Sequence, residues 1–172
     1  MTQPIIFSNT HKEEGYYQVP LLQRGIEPTL KQATDFMLER FTCANALQSA
    51  SRIANSVPSW LVRYFGDYSN TRLYPGSGAY HGVDVHMIFG ASEDVTGLPL
   101  SAAEAQLVAL MQRALSAFAH DPHSGLEAVM SWPQFNESRK SLVLLGVENA
   151  PEARLVFPRA YNAACNYTVY EG

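Results

Sequence analysis

The sequence predicts an α/β layer fold, with helices packed on a sheet. Three observations point there. Short apolar runs at 5–9, 59–66 and 141–147 have the length and composition of buried strands. Two long stretches between them, 29–55 and 101–118, repeat apolar residues at three- and four-residue steps. The elements alternate strand, helix, strand, helix, strand, the order of crossover-connected layers.

Each element has a local cause. IIFSN (5–9) is an apolar run closed by polar residues, followed by the loop HKEEG and the aromatic pair Tyr16 and Tyr17. Pro20 and Pro28 bracket a linker-like stretch. From Thr29 to Asn55 the apolar positions Leu30, Ala33, Met37, Phe41, Ala44 and Leu47 line one helical stripe, which Pro58 stops. SWLVRYFG (59–66) is rich in aromatic and β-branched residues and reads as a strand. VDVHMIFG (83–90) fits a short strand or a helical turn equally well. Ser101 and Glu104 form a capping box ahead of a helix with Leu107, Leu110, Met111, Ala114, Leu115 and Phe118 on its apolar face. SLVLLGV (141–147) is the third strand, and Pro158 starts a short helix near the end. Three strands are few for a complete α/β domain of 172 residues.

Composition narrows the function classes. Apolar residues make up 47% and charged residues 16%, which is globular rather than disordered. A net charge of −4 with no basic stripe gives no footprint for nucleic acid. No apolar run reaches bilayer length, and residues 1–20 lack the pattern of a signal peptide. Cys43 and Cys165 fit no zinc or C-x-x-C spacing. They are either two buried thiols or one long-range bridge. Asn136-Glu137-Ser138 and Asn166-Tyr167-Thr168 are glycosylation sequons, which with paired cysteines lean toward an extracellular setting.

The segment richest in chemistry is GSGAYHGVDVHMIFG (76–90). Glycines crowd one imidazole, His81, on a loop just after a strand. Loops on a rigid scaffold are where catalytic groups concentrate, and imidazole is the usual general base near neutral pH. A plain Gly-rich turn explains a lone histidine equally well. His120 and His123 supply two candidate metal ligands without a third, so no metal site is expected. His86 suits no metal spacing. Ser77 reads as turn chemistry, Arg63 and Arg72 as ion-pair partners of the loop, and Trp60 and Trp132 as packing anchors.

The pattern Tyr80, His81-Gly82, Asp84 and Phe89-Gly90 resembles the histidine segment of type-B carboxylesterases, the α/β-hydrolases related to the cholinesterases and some fungal lipases. The resemblance extends from about residue 4 to 168, through KEEGYY (12–17), MQRALSAFAHDP (111–122), SWPQF (131–135) and SLVLLG (141–146), and it is closest to the fungal members. It implies ester hydrolysis by a Ser–His–Glu triad, with His81 as base and a glutamate orienting it. Glu14, which directly precedes Gly15, is the expected acid in preference to Glu13. Asp84 and Gly82 are expected to support the loop. The resemblance also implies a Cys43–Cys165 disulfide, no cofactor, and a small-molecule ester as substrate of the full-length enzyme. Neither a G-x-S-x-G elbow nor a Gly-rich oxyanion segment occurs in the sequence. Residues 1–172 are therefore expected to be the C-terminal segment of such a domain, with an incomplete sheet and no activity alone. The rival readings are a non-catalytic interaction protein of the same superfamily and a small unrelated binding module.

Overall fold

The structure is a computed structural model that describes residues 3–165. Strand β1 (Ile5–Thr10) leads into two short helices, α1 (Glu14–Tyr17) and α2 (Val19–Leu22). Helix α3 (Leu30–Met37) runs through a π-helical segment (Leu38–Thr42) into α4 (Cys43–Ala54). Then come β2 (Ser59–Tyr64), α5 (Val83–Phe89), α6 (Ser92–Thr96), α7 (Ala102–His120) and α8 (Gly125–Met130). β3 (Leu142–Leu145), β4 (Arg154–Val156) and α9 (Arg159–Asn162) complete the described chain.

The sheet order is β1-β2-β3-β4, with the first three strands parallel and β4 antiparallel to β3. The three expected strands are the parallel ones. β2 is buried along its whole length because both faces are covered. Trp60, Val62 and Tyr64 point to a core built with Val143 and Leu145 and with α5, α7 and α8. Leu61 points the other way, toward Leu142, Leu144, Phe135 and Ala46 of α4. Trp60 and Trp132 are packing anchors, as the sequence reading expects. The Trp60 Nε1–H donates to the Trp132 carbonyl at 3.0 Å, so the buried indole leaves no donor unpaired.

The helix expected over 29–55 forms, with a Thr29–Gln32 capping box at its start. Its buried stripe differs from the sequence reading. Leu30 is 84% exposed and Leu47 is also exposed, whereas Ala33, Ala46 and Ser49 are buried. Leu30 is the first residue of α3 and lies at its open end, whereas for Leu47 the π-helical turn at Leu38–Thr42 is the cause. A wider turn inserts a residue into the 3.6 repeat, so later positions rotate away from the stripe that earlier ones define. The Ser101–Glu104 capping box is present, and Glu104 is fully buried with both carboxylate oxygens accepting from the Asn70 amide. VDVHMIFG resolves as helix α5, closed at both ends by left-handed glycines, Gly82 and Gly90.

Cys43, at the start of α4, is bonded to Cys165, just beyond α9. The bridge fastens the end of the described chain onto the helix that covers one sheet face. Asn166 lies outside the described residues.

Candidate active site

Two loops meet at the C-terminal ends of β1 and β2, where an open α/β sheet places its functional groups. The first leaves β1 at Thr10, and the second carries residues 65–82. Lys12 forms a parallel bridge with Tyr80, and the Lys12 N–H donates to the Ala79 carbonyl at 2.9 Å. That contact sets the glutamate loop against the histidine loop. Gly15 is required there, since a Cβ at this position would lie 2.7 Å from the Ser77 carbonyl oxygen. Gly82 has φ of 85°, which lets the chain turn from His81 directly into α5.

His81 Nδ1 lies 2.6 Å from Oε2 of Glu13. The acid that meets the imidazole is therefore Glu13, not the expected Glu14. The difference is one of helix phase. Helix α1 begins at Glu14, so consecutive side chains there diverge by about 100° around the axis. Glu13 falls on the inner side and is buried, and its Oε1 accepts the Thr10 N–H at 2.6 Å. Glu14 is turned toward a cavity of about 410 Å³ whose lining includes Tyr17, Gln18 and Phe36. Its Oε2 has no hydrogen-bond partner among the described residues.

Electrostatics distinguish the groups. Burial raises the Glu13 carboxyl above its usual range, while the Thr10 N–H and His81 pull it back and Asp84 pushes it further up. Burial also raises Glu14 and Asp84. Asp84 accepts from Ser8 Oγ at 3.2 Å and is buried at the first turn of α5. It anchors that helix to β1. The His81 side chain is 43% exposed although its Nδ1 is held. A carboxylate facing Nδ1 selects the tautomer with the proton there, so Nε2 carries the lone pair. Tyr17, Phe41 and Tyr16 surround the ring, with centroids 5.2, 5.4 and 6.1 Å away.

No Ser, Thr or Cys among the described residues is hydrogen-bonded to His81. Ser77 is buried and accepts the Leu73 N–H, which is turn chemistry. Arg72 makes a two-point ion pair with Asp67. Arg63 is buried, donates to Thr42 Oγ1 and lies over the Tyr161 ring. The His120–His123 loop is organised by Asp121, whose carboxylate accepts the N–H groups of His123 and Ser124. No group of three or more metal-ligating side chains exists among the described residues. Asn136 is half-buried at the surface, its Oδ1 accepting the Ser138 N–H. The sequence favours Glu14 over Glu13 and gives no signal for Thr10 or for the aromatic wall. KEEG offered two adjacent acids, and Phe41 sits 40 residues from the imidazole it touches.

Among solved structures, the chain is similar to PNB esterases. One, a thermophilic PNB esterase, is 21% identical with a TM-score of 0.62 over 89% of this chain and 36% of that chain. Another PNB esterase structure is 18% identical with a TM-score of 0.65 over 98% of this chain and 38% of that one. The fold is part of an α/β-hydrolase. In sequence, the chain is similar to Secreted lipase 5 of Gibberella zeae, with 28% identity over 155 residues. That match takes in 86% of this chain and 28% of the lipase. The chain thus spans well under half the length of the proteins it resembles. No family model matches it. These likenesses agree with the resemblance to carboxylesterases and lipases drawn from the sequence. No helix among the described residues is long and apolar enough to cross a membrane.

Proposed function

We propose that this chain is the C-terminal portion of a secreted ester hydrolase and supplies the acid–base half of its active site. The observation that carries the reading is the 2.6 Å contact between His81 Nδ1 and Glu13 Oε2, made by an imidazole that is still partly exposed. Glu13 fixes the tautomer and stabilises the imidazolium. His81 Nε2 takes the proton from an attacking hydroxyl and returns it to the leaving alcohol. The hydroxyl nucleophile and the oxyanion donors come from outside residues 1–172. The substrate is a small-molecule ester, and the aromatic wall of Tyr16, Tyr17 and Phe41 favours an apolar group beside the imidazole. Asn136, at the surface, is a glycan acceptor in this setting.

The test is turnover of a nitrophenyl ester. The pure 172-residue chain is expected to show none above buffer. In a protein that joins this chain to a nucleophile-bearing segment, His81→Ala is expected to lower kcat/KM by roughly 10²- to 10⁴-fold. Hydrolysis by the pure chain that His81→Ala abolishes, or a joined enzyme indifferent to His81→Ala, would overturn the reading.

A further inference from the structure

A π-helical turn is a rare element that tends to mark functional positions. In this chain it spans Leu38–Thr42, and the Cys43 N–H donates to the Leu38 carbonyl, five residues back. Residues five apart stand about 140° apart around an α-helix and face different ways. Across the π-helical turn Phe36 and Phe41 come together instead, with ring centroids 5.9 Å apart. Both also meet Tyr17, the last residue of α1, at 5.2 and 6.0 Å. Tyr17 and Phe41 in turn meet the His81 ring at 5.2 and 5.4 Å, each tilted by 45°. All five distances lie in the range of favourable ring pairs.

The chain next to Phe41 is fixed on its other side. Thr42 is buried and its Oγ1 accepts from the Arg63 guanidinium at 2.7 Å. Cys43 is tied to Cys165. Phe41 is therefore braced by Phe36 before it and by two anchors after it.

The contact between His81 and Glu13 needs such a brace. The Glu13 side chain is buried and held by the Thr10 N–H, but the His81 side chain is 43% exposed. The Glu13 contact is the only hydrogen bond of that ring among the described residues. A pair with one partly exposed partner gives back much of its energy in the freedom lost by holding it. Packing on the ring faces removes that freedom in advance, so the hydrogen bond no longer has to.

We propose that Phe41 is a positioning residue for the acid–base step: with Tyr17 it clamps the His81 ring in the orientation that sets Nδ1 on Glu13, and the π-helical turn is what brings Phe41 to the ring. Phe41 acts through His81 and not on the substrate. The inference rests on the proposed function for what the clamp serves, while the clamp itself belongs to these 172 residues.

NMR of the full 172-residue chain tests it. In wild type the His81 Nδ1–H is expected as a resolved signal in slow exchange with water. The carbon-bound protons of the ring should be shifted by the neighbouring aromatics and show cross-relaxation to Phe41. Phe41→Leu keeps an apolar side chain without the ring. It should speed Nδ1–H exchange roughly three- to tenfold and move the ring protons toward the positions of an exposed histidine. Phe41→Tyr restores a ring and should bring exchange back to within about twofold of wild type. Phe135→Leu makes the same truncation in the core on the α4 side of the sheet, where Phe135 is buried with Leu61 and Leu142. It should lower Tm at least as much as Phe41→Leu and leave the His81 signals in place. His81 signals unmoved by Phe41→Leu, moved equally by Phe135→Leu, or not recovered in Phe41→Tyr would overturn the proposal. So would a wild-type chain with no cross-relaxation between the two rings, even if Phe41→Leu fails to fold. These readouts need no ester turnover. A joined enzyme indifferent to His81→Ala removes the proposed function whatever the ring signals do. Signals indifferent to Phe41, in a chain whose His81 is needed for turnover, remove the positioning role alone.

Discussion

Glu13→Gln is the sharpest perturbation of the candidate site, because the same change one residue later should do almost nothing. In the wild-type chain the Glu13 carboxylate accepts at both oxygens, from the Thr10 N–H and from His81 Nδ1, each at 2.6 Å. Glutamine is isosteric and keeps the first contact through its carbonyl oxygen. Its amide nitrogen then faces His81 and donates. Nδ1 must accept, and the proton moves to Nε2. A base with a proton on its working nitrogen cannot take another. In a Ser–His–Asp triad the equivalent loss of tautomer control lowers kcat by about 10⁴-fold, or about 5.4 kcal/mol of barrier.

Stability should change far less. Burial already raises the Glu13 carboxyl, so the ionised form is less favoured in the fold than in water. Removing the charge relieves that cost while weakening two hydrogen bonds. The balance is expected within about 1 kcal/mol, a Tm shift of a few degrees or less. Ring-nitrogen NMR of the 172-residue chain reports the tautomer directly. Glu13→Gln should convert His81 from Nδ1–H to Nε2–H, and Glu14→Gln should leave it unchanged. The reverse pattern would refute the assignment of the acid. Retention of the Nδ1–H form in Glu13→Gln would refute the tautomer mechanism.

Reduction of the Cys43–Cys165 bridge releases a 122-residue separation, worth about 5 kcal/mol in the chain-entropy view; urea unfolding with and without reductant should differ by several kcal/mol, and a difference below about 1 kcal/mol would contradict it. His11 is held down to about 4 by burial, with Arg63 and Lys12 adding to the effect, so the unfolded chain takes up its proton first as pH falls from 6.5. Stability from this group is present above pH 6.5 and lost toward pH 4. His11→Phe, which keeps the stack on Phe65, should lose less stability between pH 7 and 4.5 than wild type in urea titrations. The raised carboxyls Glu13, Glu14 and Asp84 act in the opposite sense, losing stability as pH rises through their folded values, and are common to both proteins. Gly15→Ala should cost about 1–3 kcal/mol through its clash with the Ser77 carbonyl and separate the two site loops, read as loss of the Nδ1–H signal's protection. A neutral effect would mean the loops are not held together there.

Much of the fold was legible because burial writes itself into local pattern. β2 and β3 are covered on both faces, and their apolar runs say so. The Ser101–Glu104 box announced α7 in the letters alone. What was not legible depended on phase or on long-range contact. The π-helical turn before Cys43 shifts the later part of the stripe, Ala44 and Leu47, out of phase with the earlier part, and no residue type marks it. β4, with three residues, is a strand only because β3 lies beside it. The aromatic wall of His81 draws on residues from α1 and from the π-helical segment, brought together by packing rather than by spacing.

The identity of the acid belongs to the same class. Glu13 and Glu14 are chemically identical neighbours, so composition cannot choose between them, and adjacency to Gly15 favoured the second. The choice is made by where α1 begins. The Lys12–Tyr80 bridge fixes the last extended residue of the loop, and the close approach of Gly15 to Ser77 fixes the first turn of the helix. Between those two constraints only one side chain can face the imidazole, and the Thr10 N–H holds that one in place. Moving the helix start by a single residue would exchange the roles of the two glutamates without altering a letter of the motif. Gly15 therefore matters to the chemistry as much as the acid does: its missing side chain decides which carboxylate His81 meets.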